Sequence, residues 1–147
     1  MLFFDQPITP TAAKGVYANE TVKKWAKKIK DGDAFIIVSP EYNHGYPAVL
    51  KNALDSIFIE WNKKPVGFVS YGGVGGSRAV EQLRQVVIEL EMIPIRSAIH
   101  IPGEVYMSVI NEKVPVNPEL FKSLNPKLEK LLVQLLWHAK ILKPARD

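Results

Sequence analysis

The chain has 147 residues, 47% of them apolar, no cysteine and a formal charge of +4, with an isoelectric point near 9.2. That length suits a single domain over residues 1–147, and the lack of cysteine excludes disulfides, thiolate metal sites, dithiol redox and cysteine nucleophiles, so redox chemistry needs a borrowed cofactor. The basic residues are scattered over helix faces (Lys23, Lys24, Lys27, Lys28, Lys30) and read as a solvated surface, which argues against a nucleic-acid partner.

Met1 to Phe4 is apolar but is ended at once by Asp5 and lacks a basic leader, so it does not read as a signal peptide. No apolar run reaches membrane-spanning length. These features predict a soluble, cytoplasmic protein with no membrane partner. Asp5 to Gly15, punctuated by Pro7 and Pro10, reads as a loop. Val22, Trp25, Ala26 and Ile29 then fall at helical spacing, with Asp31-Gly32 as the stop. Ala34 to Ser39 has the unbroken apolar character of a strand buried on both faces. A turn rich in proline and aromatics, Pro40 to Pro47, hands over to a helix running to Trp61, with Leu50, Leu54, Ile57, Phe58 and Trp61 on one face.

The same unit then recurs. Val66 to Ser70 reads as a second buried strand, and it ends in the glycine-rich turn Tyr71 to Ser77. Ser77 is placed to cap a helix carrying Ala79, Val80, Leu83, Val86, Val87 and Leu90. Ile95 to Ile101 alternates polar and apolar residues as an edge strand does, with His100 facing outward. Tyr106, Met107, Pro115 and Pro118 fall in a loop, and a last helix carries Leu128, Leu131, Leu132, Leu135 and Leu136. Its stripe serves core packing or a subunit contact. Alternating strands and helices predict an α/β doubly wound parallel sheet. Its natural strand order leaves Ala34 to Ser39 on an edge, a liability that a partner chain or further sequence would cover.

Two turns carry the candidate chemistry. The glycines of Gly72 to Arg78 let backbone N–H groups approach an anion or an acceptor-rich ring, although no Gly-Lys-Ser/Thr closes the turn and the third glycine of a dinucleotide fingerprint is missing. The same glycines also fit a plain turn needing positive φ. In the other turn Tyr42 offers a flat face, and Asn43 a donor and an acceptor, to a planar heterocycle. Tyr42 and Tyr46 fit equally as residues closing the core. His44 lies where it can meet a substrate or simply be solvated. Ser39, Ser70 and Ser77 lack the setting of a hydrolase nucleophile, and no metal cluster is recognisable.

Pro40-Glu41-Tyr42-Asn43, then Pro47 to Asp55, Lys64-Pro65-Val66 and Gly72 to Ala79 together resemble the NADPH-dependent FMN reductase family of flavodoxin-like proteins, which includes quinone, azo-dye and chromate reductases. The resemblance covers about Phe3 to Pro102. It implies FMN across the carboxyl ends of the strands, held by Pro40, Glu41, Tyr42 and Asn43 and bordered by Gly72, Gly73, Gly75 and Gly76. Ser70 and Tyr71 lead into that loop, and His44 and Tyr46 lie next to the substrate. By the same resemblance, NADPH or NADH reduces the flavin in a ping-pong cycle. A small-molecule electron acceptor such as a quinone, azo compound or free flavin then takes the electrons, with no obligatory catalytic acid or base. Homodimers or homotetramers would form partly through the Pro47 to Trp61 helix.

The family's usual sheet has five strands, of which three are recognisable here. Met1 to Pro7 resembles the stretch following the second strand, so the resemblance implies a flavodoxin-like domain without its N-terminal β-α-β portion and the phosphate loop within it. Weaker phosphate anchoring would follow. The other readings are a non-catalytic flavodoxin-like module, or remnant, that binds a partner through its open sheet edge, and a nucleotide or phosphate site at Gly72 to Arg78.

Overall fold

The computed structural model describes residues 3–111 and 115–146. Met1 and Leu2, read above with Phe3 and Phe4, lie outside the described residues. In chain order the elements are α1 (Pro10–Ala13), α2 (Glu20–Lys30), β1 (Phe35–Pro40), α3 (Ala48–Asp55), β2 (Pro65–Tyr71), α4 (Ser77–Glu89), β3 (Ile93–His100), α5 (Gly103–Asn111) and α6 (Asn125–Leu142). Short 3-10 segments, Pro118–Leu124 and Lys143–Ala145, flank α6. The strands form one parallel sheet in the order β1-β2-β3, with Phe35 opposite Val66 and Pro40 opposite Tyr71.

One face of the sheet builds the larger core, where Ile37, Val66 and Phe68 meet Ile29 of α2, Leu54 of α3, and Val80, Leu83 and Val87 of α4. The other face packs Ile95 and Ile99 against Leu124, Leu131 and Leu135. Each of these buried aliphatic side chains contributes roughly 1.5–3 kcal/mol. Gly67 lies directly under Leu131, whose Cδ2 would stand 3.4 Å from an added Cβ. The end of α6 is tied down by Lys143 and Arg146, which both pair with Asp33 just before β1.

Several expectations are corrected here. β1 is buried on one face only: Ile37 and Ser39 point into the core, whereas Ile36 and Val38 are 38% and 62% exposed. They share the α6 face but lie beyond that helix, and the outer edge of β1 has no paired strand among the described residues. The helix after Pro47 stops at Asp55 because its next hydrogen bonds are diverted. The Leu54 carbonyl accepts from the Trp61 indole, and the Phe58 N–H donates to the Tyr17 hydroxyl. Ile57 and Trp61 are buried all the same, from a turn. Within the presumed Asp5 to Gly15 loop, Thr9 caps the single turn of α1. The presumed loop around Tyr106 and Met107 is the helix α5.

Candidate functional site

The two turns singled out in the sequence meet at the carboxyl ends of β1 and β2. Their first link is backbone, since Glu41 N donates to Tyr71 O at 2.9 Å. Beyond it the chain folds into a two-residue turn in which Tyr42 and Gly45 exchange both backbone hydrogen bonds, at 2.8 and 2.9 Å. Asn43 (φ 49°) and His44 (φ 70°) are both left-handed there, the geometry of a type I′ turn, which asparagine tolerates and histidine adopts less readily. Gln82 of α4 holds the tip by donating from Nε2 to the His44 carbonyl at 2.9 Å. Tyr42 is left 60% exposed. Tyr46 is half-buried, and burial raises its phenol pKa, with a smaller downward pull from Lys51.

Glu41 joins the turns through its side chain. Its Oε2 accepts from Arg78 N at 3.1 Å and its Oε1 from Arg78 Nη1 at 2.9 Å. The carboxylate is only 7% exposed. Burial pushes its pKa up, but the hydrogen bonds and charge of Arg78, with a further bond from Ala79 N, outweigh that and hold it below the usual carboxylate range. Glu41 therefore caps α4 in place of Ser77, which sits inside the helix and makes no capping bond to its backbone. Arg78 is also committed, which weighs against a free anion site at Gly72 to Arg78.

The glycine loop is shaped from beneath. Ser70 is fully buried, and its hydroxyl donates to Gly75 O at 2.7 Å. His100 Nδ1 lies 2.9 Å from the same hydroxyl oxygen. With the serine proton committed to Gly75, the histidine must supply the proton of this second bond, which assigns N–H to Nδ1. The expectation that His100 faces outward is thus corrected: it supports the loop at the end of β3. Gly76 (φ 74°) packs so closely that an added Cβ would stand 2.7 Å from Ser70 Cβ and 2.8 Å from Tyr71 N. Gly72 and Gly75 are buried with it, whereas Gly73 is exposed and an added Cβ there would meet nothing within 4 Å. The Tyr71 ring lies 5.6 Å from that of Tyr106 on α5.

Tyr42, Asn43, His44 and Gly73 are thus the exposed members of the predicted set, while Glu41, Ser70, Gly72, Gly75 and Gly76 are drawn inward and Pro40, Tyr46 and Tyr71 are half-buried. The N–H groups of Asn43, His44, Gly73 and Val74 have no acceptor among the described residues. An exposed ring, open backbone amides and a glycine with empty space beside it fit an acceptor-rich planar group such as isoalloxazine. Arg78, Gln82, His100 and Tyr106 were missed as contributors. Only Arg78 had a sequence signal, a cation in the first turn of a helix where carboxylates are favoured.

Residues 3–105 match the family model described as NADPH-dependent FMN reductase. The chain is 43% identical over 102 residues to an NAD(P)H-dependent FMN reductase of Schizosaccharomyces pombe, covering 68% of this chain and 51% of that protein. It is 35% identical over 134 residues to the NAD(P)H-dependent FMN reductase LOT6 of Saccharomyces cerevisiae, covering 90% of this chain and 66% of that protein. The chain thus spans about half to two thirds of the length of these curated relatives. Among solved structures it is similar to the flavoenzyme FerB of Paracoccus denitrificans, with a TM-score of 0.64 at 22% identity over 91% of this chain and 77% of that one. That likeness shows a flavodoxin-like fold.

Proposed function

The chain belongs to the NADPH-dependent FMN reductase family, and from that premise we propose that it binds FMN against the carboxyl edge of its sheet and carries electrons from NAD(P)H to a small acceptor. The observation that carries this reading is the pair of turns, clasped by Glu41 and Arg78, that leaves the Tyr42 ring and the amides of Asn43, Gly73 and Val74 open at that edge. Bound FMN would supply the hydride and electron chemistry. The residues would hold and orient it: Tyr42 beside the ring, Asn43 and Gly73 through backbone N–H donors, and Gly73 by carrying no side chain to obstruct approach.

Donor and acceptor would use this exposed surface in turn, in a ping-pong cycle, with His44 and Tyr46 nearest the acceptor. Quinones, azo compounds and free flavin suit so open an edge. A homodimer or homotetramer formed partly through α3, whose Val49 is exposed, and a cytoplasmic location belong to the same reading. No described helix is long and apolar enough to cross a membrane.

The deciding experiment is the visible spectrum of purified protein after FMN is added and free flavin is removed by gel filtration. Retained flavin absorbance, followed by NADPH consumption with a quinone, is expected. A colourless protein favours the second reading, a flavin-free module that pairs along β1, for which the exposed Ile36 and Val38, beside a strand edge with no paired strand among the described residues, are the specific support.

A further inference from the structure

At the end of the sheet opposite Tyr42 and Gly73 lies a cleft of about 710 Å³. Asp33 and Lys64, just before β1 and β2, are in its lining. Strand lengths of six and seven residues put it on the order of 20 Å from the flavin edge. Among the described residues its walls carry seven cationic side chains and three carboxylates.

Two of the three carboxylates are engaged by neighbouring side chains. Asp33 pairs with Lys143 and Arg146, and Glu60 accepts from the Tyr17 hydroxyl at 2.7 Å. Three of the cations are committed as well, Arg146 to Asp33 as above. Lys23 pairs with Glu20, while the buried Lys64 Nζ donates to Ile29 O at 2.7 Å and Lys30 O at 3.1 Å. The ammonium groups of Lys14, Lys27, Lys30 and Lys63 have no partner among the described residues. They come from three separate places: the turn after α1, one face of α2, and the turn before β2. Lys27 and Lys30 complement the dipole at the C-terminus of α2, but Lys64 already satisfies carbonyls there, and Lys14 and Lys63 lie on other elements. Lys63 (φ 58°) and Glu91 (φ 56°) are both left-handed and joined by a 2.8 Å bond from Lys63 N to Glu91 O. Non-glycine residues adopt that geometry rarely, and it concentrates at functional sites.

We propose that this cleft binds a polyphosphate group, a di- or triphosphate chain carried by a nucleotide or free in solution. Four unpartnered ammonium groups around one cavity suit an anion that spreads several charges along its length. Lysines serve phosphate as point charges without demanding a fixed plane. The one aromatic residue of the lining, Tyr17, is buried and bonded to Glu60, so recognition rests on the phosphates and not on a stacked base.

The test is titration calorimetry of the chain with tripolyphosphate at physiological salt. Saturable binding is expected, weakened about tenfold or more by Lys27→Glu with Lys63→Glu. Lys24→Glu with Lys28→Glu, on the same helix but outside the cleft and with the same change in net charge, leaves it intact. Circular dichroism confirms that both variants fold, and Lys14→Ala gives a milder second probe of the same site. ATP bound much more tightly than tripolyphosphate identifies a nucleotide as the source, and equal affinity identifies a free phosphate chain. No saturable binding, equal loss in the control variant, or equally tight binding of polyglutamate overturns the proposal.

Discussion

The guanidinium of Arg78, in the first turn of α4, lies 2.9 Å from the carboxylate of Glu41, in the turn after β1. The pair is separated by 37 residues of chain, and it fixes the two turns of the proposed flavin edge against each other. Glu41→Gln keeps the shape but removes the charge that holds Arg78 and caps α4. A loss of about 1–2 kcal/mol in stability is expected, measured by urea denaturation, together with a lower share of FMN retained on gel filtration. A variant that keeps both stability and flavin would show that the clasp is dispensable.

The same carboxylate sets a pH dependence. Its pKa is lower in the folded chain than the ordinary 4.5, so its contribution is complete above that value and is lost as the pH falls through the lowered folded value. Stability of the native chain and of Glu41→Gln, compared from neutral into acid pH, should draw together as the pH falls through the lowered folded value. Parallel curves would remove Glu41 from the acid response.

Two glycines of one loop should respond in opposite ways to alanine. At Gly76 the added Cβ meets Ser70 and the Tyr71 backbone in a left-handed conformation, so a cost of about 2 kcal/mol or more is expected. At Gly73 the Cβ meets nothing, and stability should change by no more than about 0.5 kcal/mol. Flavin retention should nevertheless fall in Gly73→Ala, because the methyl group enters the space left for the ring. Unchanged retention there would move the ring away from Gly73.

Removing the Tyr17 hydroxyl strands two groups at once, the buried Glu60 carboxylate it donates to and the half-buried Phe58 N–H it accepts from. Tyr17→Phe should cost about 1–3 kcal/mol. Thermal unfolding of the variant checks this, and a melting temperature equal to that of the parent would contradict it.

The open side of β1 should govern self-association. Val38→Lys places a charge on an exposed strand face, where it costs little stability and blocks edge pairing. Light scattering should report less association for the variant at high protein concentration. An unchanged particle size would mean that copies meet elsewhere.

Strand positions and the two candidate turns were legible in the sequence because they depend on local chemistry. The unbroken apolar runs of β1 and β2 gave the strands. Pro40 and the glycines after Tyr71 gave the turns, and the combined pattern gave the family. The end of α3 was illegible because it depends on Tyr17 and Trp61 taking over helix hydrogen bonds from a distance. The periodicity through Leu50, Leu54, Ile57 and Trp61 truly records burial, but a turn buries the last two. Composition likewise could not tell that β1 has an uncovered face, since Ile36 and Val38 look the same in sequence whether or not a helix lies over them.

By itself the sequence determined the α/β alternation, the parallel sheet order and the turns that form the candidate site, because backbone preference and apolar periodicity are written residue by residue. The tertiary structure decided which side chains serve that site and which serve the scaffold. Glu41 was turned onto Arg78, Ser70 and His100 were turned under the glycine loop, and four lysines with no partner among the described residues were gathered at the far end of the sheet. Those assignments depend on hydrogen bonds and charges between segments distant in sequence, and only the folded chain brings such segments within reach.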